Sequence, residues 1–240
     1  MGLGKQYHTQ SGSEKTLFRQ LARALRGDRI EEPTWAVRGV DLSLPRGQCL
    51  GLVGPNAAGK STLLLLLAEL LAPTEGSVSV RGTVSPFFNI GTGLYGELSV
   101  RDNIGVLASL FALTNKELSS CFPDIVSFGS LESYLDARLN TLSAGFQARV
   151  AFSTALHSRA EVLLIDEIFA VGDAAFRAQC LERMTSLRQA GKTFVLASHD
   201  LSLIRSICTQ AIYLEKGLIA ARGEPKAVTA AYERRRAHQG

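Results

Sequence analysis

The stretch GPNAAGKST, residues 54–62, decides the fold of this 240-residue chain. It follows the apolar run CLGLV and precedes the apolar run LLLLLAELL, an order that predicts a buried strand, a loop and a helix. Four of its residues match the phosphate-binding pattern G-x-x-x-x-G-K-[ST]: Gly54, Gly59, Lys60 and Ser61. Small residues let backbone N–H groups surround phosphate oxygens, and the helix dipole adds to the attraction. The stretch therefore predicts a nucleotide-binding loop, the alternative being a glycine-rich turn with an exposed lysine.

Each residue type in this loop suits one part of a bound nucleotide. Lys60 is predicted to bring a positive charge to the β- and γ-phosphates, and Ser61 is predicted to offer a hydroxyl to Mg²⁺. The neighbouring residues are predicted to contact the nucleotide as well. The nucleotide-binding residues predicted in the loop are Gly54, Pro55, Asn56, Ala57, Ala58, Gly59, Lys60, Ser61 and Thr62.

Two carboxylates follow a second apolar run about a hundred residues further on. The run VLLI at 162–165 predicts a buried strand, and Asp166 and Glu167 come directly after it. In α/β proteins, ligands bind at the carboxyl ends of the strands. Asp166 is therefore predicted to hold the metal, usually through water, and Glu167 to polarise an attacking water. The alternative is a solvated loop edge.

Strands that alternate with helices predict an α/β fold. Further strands are predicted in WAVRGVDLSL at 35–44, in pieces of 78–90, and in TFVLASHD at 193–200. The run AIYLEKGLIAARGEP predicts a hairpin that turns at Lys216 and Gly217. The strand, loop and helix around the phosphate-binding loop belong to the same pattern.

The middle of the chain interrupts this alternation. Residues 97–160 are predicted to be mainly helical, with turns at FPD (122–124) and FGS (128–130). We therefore expect a helical subdomain inserted into an α/β domain that covers residues 30–240.

Residues 1–29 form a predicted N-terminal extension. Leucines at helical spacing, with arginines between them, predict a short helix there. It is either a basic amphipathic helix at a membrane surface or a short helix packed on the domain with its arginines in water.

Bulk composition restricts the function only broadly. The net charge of +4 and the pI of about 9.0 permit an acidic partner or an anionic membrane surface but require neither. The four cysteines are widely spread without paired spacing, which favours a reducing cytosol over a disulfide framework or a zinc site. The most apolar stretch, 63–72, is far shorter than the roughly 20 residues of a bilayer span, so the chain is not expected to cross a membrane.

Three further motifs carry a family resemblance: TLSAGFQARVAFSTAL (141–156), VGDAAF (171–176) and LASHD (196–200). With them, the chain resembles the ATP-binding subunit of an ABC transporter over nearly all of residues 30–225. The resemblance implies a P-loop NTPase of the ABC ATPase type, with an antiparallel β subdomain and an inserted helical subdomain. It also implies ATP and Mg²⁺ as cofactors.

The resemblance assigns ATP contacts outside the phosphate-binding loop. Ser143, Ala144 and Gly145 are similar to the LSGG part of the family signature, and Asp173 matches the D-loop aspartate. Ser143 has an alternative role as a simple helix N-cap.

Two more roles follow from the resemblance. His199 matches the switch histidine that contacts the γ-phosphate, which makes it the second predicted catalytic residue beside Glu167. Trp35, some 19 residues before Gly54, resembles the aromatic residue that stacks on adenine. The alternative for His199 is a buried histidine whose hydrogen bonds are made inside the protein, and the alternative for Trp35 is a core residue.

The segment DEIFAVGDAAFRAQC narrows the resemblance to the ATPases that export O-antigen, capsule and teichoic acid. Five positions match the pattern of that group, and Gln179 replaces its lysine. The matching residues are Val171, Gly172, Asp173, Phe176 and Cys180.

The chain departs from the family pattern at three positions. Ala57 replaces a glycine, which reduces nucleotide affinity if the position is left-handed and is silent if it is not. Asn89 stands near the position of the usual Q-loop glutamine and is predicted to reach the metal or its water. Phe146 replaces the glutamine of the signature.

The partners follow from the resemblance. One phosphate-binding loop and one signature imply a homodimer that shares two ATP sites, at the cytoplasmic face of the plasma membrane. A separate transmembrane permease carries a lipid-linked glycan, and nucleic acid is not an expected partner. The stretch PFFNIGTGLYG (86–96) is the predicted docking site for the permease, the alternative being an apolar loop packed on the helical subdomain.

Three rival classes stay open: a soluble ABC ATPase, a non-hydrolysing nucleotide-gated scaffold, and an exporter of drugs or lipids. The retained Glu167 and His199 argue against the scaffold, and VGDAAF argues against the other exporters.

Overall fold

The computed structural model describes residues 2–7, 33–88, 93–166 and 173–237. The helix predicted within 1–29, Asn89 and Glu167 therefore lie outside the described residues. Among the residues that are described, no helix has the length and apolar character needed to span a bilayer.

A six-stranded sheet forms the centre of the fold. Its strands run in the spatial order β4-β5-β6-β3-β7-β8, and only β8 is antiparallel to its neighbour. The strands are β3 (Cys49–Val53), β4 (Val84–Phe87), β5 (Val162–Asp166), β6 (Thr193–Ala197), β7 (Gln210–Glu215) and β8 (Leu218–Gly223). Every residue of β3 and β6 is buried, as expected for central parallel strands covered on both faces.

A second, two-stranded sheet pairs β1 (Leu3–Tyr7) with β2 (Thr34–Val40) in antiparallel register. Tyr7 at the end of β1 lies opposite Thr34 at the start of β2. The strand predicted over 35–44 is shorter than expected, because β2 ends at Val40. The hairpin of β7 and β8 turns at Lys216 and Gly217, as predicted, and both residues have positive φ.

Seven α-helices are described: α1 (Lys60–Leu67), α2 (Val100–Leu110), α3 (Asn115–Gly129), α4 (Ala144–Leu156), α5 (Ala174–Gln189), α6 (Leu201–Ile207) and α7 (Pro225–Ala237). Two short 3₁₀ turns, Glu132–Tyr134 and Leu139–Thr141, connect α3 to α4. Thus α2, α3 and α4 lie between β4 and β5 along the chain, within the region predicted to be helical.

The turn predicted at FPD (122–124) is wrong, because Pro123 lies inside α3. A capping box formed by Thr114 and Glu117 starts this helix, and Ile125 and Val126 bury its apolar face after the proline. Burial of that face outweighs the single hydrogen bond that proline cannot donate. The turn predicted at FGS is confirmed: α3 ends at Gly129, and the next residue is left-handed.

Two apolar clusters pack on opposite faces of the central sheet. Leu50 and Leu52 of β3 join the cluster that contains α1, whereas Cys49 and Val53 join the larger cluster that contains α2 to α7. Each buried leucine contributes about 1.5–3 kcal/mol through removal of apolar surface from water. This packing fixes β3 and α1, and so holds the loop between them at the carboxyl edge of the sheet.

Candidate functional site

The loop between β3 and α1 requires glycine at two positions. Gly54 has a φ of 152° and Gly59 a φ of 104°. A Cβ at Gly54 would lie 2.3 Å from the carbonyl oxygen of Leu214, and one at Gly59 would lie 2.2 Å from that of Ala36. Both contacts are with backbone atoms, so these two glycines are needed for the loop to form.

Ala57 adopts a left-handed conformation with a φ of 60°. This conformation brings Cβ close to the following carbonyl and costs an L-residue about 1–2 kcal/mol. The sequence left open whether position 57 is left-handed. The structure shows that it is, so the alanine there is strained. A turn in which the N–H of Ala58 donates to the carbonyl of Pro55, at 3.2 Å, encloses the residue.

The first turn of α1 differs from those of the five helices that follow it. Side chains cap the amino ends of α2 to α6: Ser99, Thr114, Ser143, Asp173 and Asp200. Among the described residues, no side chain caps α1, which begins after Gly59. Its first N–H groups therefore keep their capacity to donate to an anion.

Lys60 turns back over the loop. Its Nζ donates to the carbonyl oxygens of Gly54 at 2.9 Å and Pro55 at 3.0 Å, and the residue is buried. The ammonium group thus lies on the concave side of the loop, where the β- and γ-phosphates of a nucleotide are expected.

A cleft of about 490 Å³ brings together half of the predicted site residues. Its volume falls within the range of small-molecule sites, roughly 300–1,000 Å³. The residues that line it are Thr34, Trp35, Ala36, Asn56, Ala57, Ala58, Gly59, Lys60, Ser61, Thr62 and Asp166. The structure therefore brings Trp35 of β2, the phosphate-binding loop and the carboxylate at the end of β5 to one place.

The donors in the cleft fit a magnesium ion. Ser61 and Asp166, two of the three residues predicted to hold Mg²⁺, both line it. A hydroxyl and a carboxylate are hard oxygen donors, and Mg²⁺ in nucleotide sites takes only one or two such protein ligands beside phosphate and water. Within the described ranges, no group of three histidines, cysteines or carboxylates is placed to hold a metal alone.

One aromatic residue, Trp35, lines the cleft, and a second, Tyr7, lies on the strand paired with β2. The ring of Trp35 is half-buried, packs against Gly4 of β1, and lies 4.7 Å from the guanidinium of Arg38. Tyr7 is 42% exposed and lies opposite Thr34, which lines the cleft. Tyr7 was not predicted from the sequence, because only the strand pairing places it opposite Thr34.

The signature residues lie outside the lining of this cleft. Ser143 caps α4, with its Oγ accepting from the N–H of Phe146 at 3.3 Å, so the N-cap role is confirmed. Ser143 and Ala144 are exposed, and Gly145 is half-buried. The replacement at Phe146 packs on Tyr134, with ring centroids 4.6 Å apart.

Asp173 caps α5 by accepting from the N–H of Phe176 at 2.9 Å. Its second carboxylate oxygen accepts from the guanidinium of Arg149 in α4. The N–H of Phe176, and secondly the guanidinium, hold the pKa of this carboxyl below its usual value. Arg149 was not predicted from the sequence, because its partner lies in another helix.

His199 follows the end of β6 and is exposed, so the alternative of a buried core histidine is wrong. The next residue, Asp200, caps α6 by accepting from the N–H groups of Ser202 and Leu203. Since β6 lies between β5 and β3, His199 leaves the same edge of the sheet as Asp166 and the phosphate-binding loop.

Comparison with known proteins gives consistent similarities. A family model described as ABC transporter matches residues 37–170, more than half of the chain. The chain is 34% identical over 227 residues to the O-antigen export system ATP-binding protein RfbB of Myxococcus xanthus, covering 93% of this chain and 52% of that protein. It is 36% identical to the teichoic acids export ATP-binding protein TagH of Lactococcus lactis, covering 85% and 44%. The chain thus spans about half the length of these two relatives.

A shorter relative matches almost end to end. RfbB of Klebsiella pneumoniae is 31% identical, with 95% of this chain and 92% of that protein covered. Among solved structures, the dimeric post-hydrolysis state of the ATP-binding cassette MJ0796, bound to ADP and Pi, matches at a TM-score of 0.73 and 23% identity. That match covers 93% of this chain and 96% of the other, and it confirms the predicted fold class.

Proposed function

The chain belongs to the ABC transporter family, and on this premise we propose that it is the ATP-hydrolysing subunit of an exporter for a lipid-linked polysaccharide. The observation that carries the proposal is the cleft in which the phosphate-binding loop meets Asp166. The polymer class rests on the similarity to O-antigen and teichoic acid export proteins.

The phosphate-binding loop is proposed to hold the ATP phosphates. The first N–H groups of α1 and the ammonium of Lys60 attract the β- and γ-phosphates. Ser61 and Asp166 hold Mg²⁺, which supplies neutralisation of charge on the transferred phosphoryl group. Asn89 is the third proposed ligand, directly or through water.

Glu167 and His199 are the proposed catalytic residues. Each follows a parallel strand that ends at the edge where the phosphate-binding loop lies: β5 for Glu167 and β6 for His199. The carboxylate accepts a proton from the attacking water, and the imidazole contacts the γ-phosphate. The adenine is proposed to stack on Trp35, which lines the cleft, or on Tyr7 of the paired strand.

The signature is proposed to complete the ATP site of a second copy of the chain. Ser143 and Ala144 are exposed at the amino end of α4, with Gly145 beside them, and none of the three lines the cleft of their own chain. A helix amino end attracts the γ-phosphate of a nucleotide held by the partner. Asp173 is proposed to act in the same dimer interface.

The permease is proposed to dock beside the helices between β4 and β5, at the cytoplasmic face of the membrane. Residues 86–96 were predicted to take part, and Tyr95 within them is 56% exposed. Leu110 and Tyr134 are also large and exposed on the helical region. Solvent-exposed apolar side chains of this kind favour a protein partner.

The test is ATP hydrolysis by the chain expressed with its permease in vesicles, with and without lipid-linked glycan, beside the variant Glu167→Gln. We expect turnover that rises with the glycan and falls by about 10²–10⁴-fold in the variant. Equal turnover without the permease would favour a soluble ATPase. Tight ATP binding with no turnover would favour a nucleotide-gated scaffold, and stimulation by a drug or a simple lipid instead would favour another exporter.

A further inference from the structure

Gln147 closes the turn that leads into the signature residues. It lies in α4, four positions after Ser143, and is half-buried. Its side-chain nitrogen Nε2 donates to the carbonyl oxygens of Leu139 and Leu142, at 3.2 Å each. A primary amide carries two N–H donors. Gln147 therefore uses one donor for each carbonyl, and its side chain reaches back from the helix to the residue that precedes Ser143.

The turn before the signature is anchored at its far end. Leu139 is buried, and its N–H donates to the carbonyl oxygen of Leu98 at 3.0 Å. The N–H of the next residue, Asn140, donates to the carbonyl oxygen of Gly96, also at 3.0 Å. One of the two carbonyls that Gln147 binds thus belongs to the packed interior. Gln147 connects the start of α4 to that fixed point.

The amino end of α4 carries the groups proposed to meet the partner's ATP. The first N–H groups of a helix have no acceptor inside the helix, and Ser143 and Ala144 are exposed there. The carbonyl oxygen of Leu142 comes directly before them in the chain and carries the opposite partial charge. If this oxygen turned outward, it would repel a phosphate that the N–H groups attract. Gln147 gives the carbonyl a donor that comes from the helix itself, and so keeps its oxygen directed toward the helix.

We infer that Gln147 is a positioning residue for the ATP-dependent dimer: its side-chain amide fixes the carbonyl before Ser143 and so sets the amino end of α4 for the partner's phosphate. The inference rests on the proposed function, because it assumes that the signature binds ATP held by a second copy of the chain. It adds to the signature a residue that acts through the backbone of its neighbours.

A purely structural amide would have a different effect. Its loss would lower the melting temperature and leave the dimerisation of the folded chain unchanged. A positioning role predicts a weaker dimer, whereas the single chain binds ATP as before. The two effects can be separated, because Gln147, Leu139 and Leu142 are not among the described residues that line the ATP cleft.

The test introduces Gln147→Met into the full chain. Methionine has a similar length, lacks both N–H donors and adds no charge that could act on the phosphate directly. Gln179→Met is the matched control, because it makes the same substitution at an exposed position of another helix, α5. Each variant is combined with Glu167→Gln, in which ATP is not expected to be consumed. Sedimentation velocity with ATP and Mg²⁺ gives the dimer dissociation constant, and the ATP Kd of the dilute chain and the melting temperature are measured beside it.

We expect Gln147→Met to raise the dimer dissociation constant by about tenfold, as the loss of two hydrogen bonds implies, with an unchanged ATP Kd for the single chain. Gln179→Met should dimerise like its parent. A lower melting temperature with an unchanged dimer would show a structural role only and overturn the inference. ATP binding by the single chain that weakens as much as the dimer would overturn it as well. A parent with intact Gln147 that stays monomeric with ATP would instead overturn the proposed shared ATP site.

A second variant keeps the test decisive if Gln147→Met folds poorly. Gln147→Asn retains an amide, but its side chain is one methylene shorter and cannot reach both carbonyls. We expect this variant to weaken the dimer with the ATP Kd of the single chain unchanged. A dimer as tight as that of the parent would show that the two hydrogen bonds do not position the signature.

Discussion

Ala57 is an alanine with a left-handed backbone, as is Ala112 among the described residues, but only Ala57 lies in the phosphate-binding loop. Its φ of 60° suits glycine, which has no Cβ, whereas alanine in this conformation is strained. The sequence alone pointed to the replacement but left the local conformation undecided. The contribution of this strain to the free energy of unfolding can be measured by substitution.

Replacing Ala57 by glycine should stabilise the protein. Relief of the left-handed strain exceeds the greater chain entropy of glycine when unfolded, so we expect a gain of about 0.5–1 kcal/mol in the free energy of unfolding. Denaturant unfolding with an unchanged m-value measures it. Ala58→Gly is the matched control: Ala58 is buried and is not among the positive-φ residues, so the same change there should destabilise. A less stable Ala57→Gly variant would contradict the strain argument.

The two aromatic residues, Trp35 in the cleft and Tyr7 on the paired strand, should respond differently to truncation. Tyr7→Ala removes an exposed ring, so we expect ATP binding to weaken by about 1–3 kcal/mol with little change in melting temperature. Trp35→Ala should also lower the melting temperature, because that ring packs on Gly4 and Arg38.

Inorganic triphosphate provides the control for base stacking, because it has no base. Its affinity should be the same in Tyr7→Ala and in the wild type. If Tyr7→Ala weakens triphosphate as much as ATP, the tyrosine does not stack on adenine.

At the scale of elements, helix α3 shows where local sequence patterns mislead. Pro123 is a strong turn signal, yet it is exposed in the interior of α3. The buried residues that follow it, Ile125 and Val126, hold the helix together across the proline. That burial depends on distant parts of the chain, which is why a local pattern gave the wrong result.

Pro123→Ala should therefore stabilise the protein. Alanine restores a backbone donor to α3 and removes the ring from the preceding turn, with an expected gain of about 1–3 kcal/mol in thermal or denaturant unfolding. The neighbouring exposed position provides the control, since Asp124→Ala should stay within about 0.5 kcal/mol of the wild type. No gain at Pro123 would mean that α3 has adapted its shape to the proline.

The elements around the site were more predictable than α3. The strand before Gly54, the strand before Asp166 and the hairpin at Lys216 all occur where the sequence indicates. Their signals are local: apolar runs of strand length, bounded by glycine or by charged residues. The contact between Arg149 and Asp173 had no such signal, because it depends on how two helices pack.

Across the chain as a whole, the predicted ATP-binding residues fall into two groups that lie apart. The cleft carries the phosphate-binding loop, whereas the exposed residues Ser143 and Ala144 lie elsewhere on the surface. This separation is the physical reason to expect that ATP joins two copies.

The assembly should therefore depend on both ATP and the amino end of α4. In the Glu167→Gln background, ATP with Mg²⁺ is expected to convert monomers to dimers in sedimentation velocity. Gly145→Glu should abolish that dimer without changing ATP affinity, because a carboxylate there repels the partner's phosphate. The control Lys116→Glu changes an exposed charge in α3 and should still dimerise. A dimer that persists in Gly145→Glu would contradict the shared-site arrangement.

The register of the central sheet has a consequence for how this protein can change in evolution. Asp166 ends β5, Ala197 ends β6, and Leu52 is one residue before the end of β3. Leu52 and Asp166 both pair with Ala197, so the three strands end within one residue of the same row. Main-chain hydrogen bonds set that row, and they do not depend on which side chains the strands carry. Substitutions in the loops beyond it, such as Ala57, alter chemistry without moving the neighbouring loops. A one-residue deletion within β6 would instead turn its remaining side chains to the opposite face. Apart from Gly54 and Gly59, which cannot accept a Cβ, positions at this edge are therefore expected to tolerate substitution better than a change in strand length.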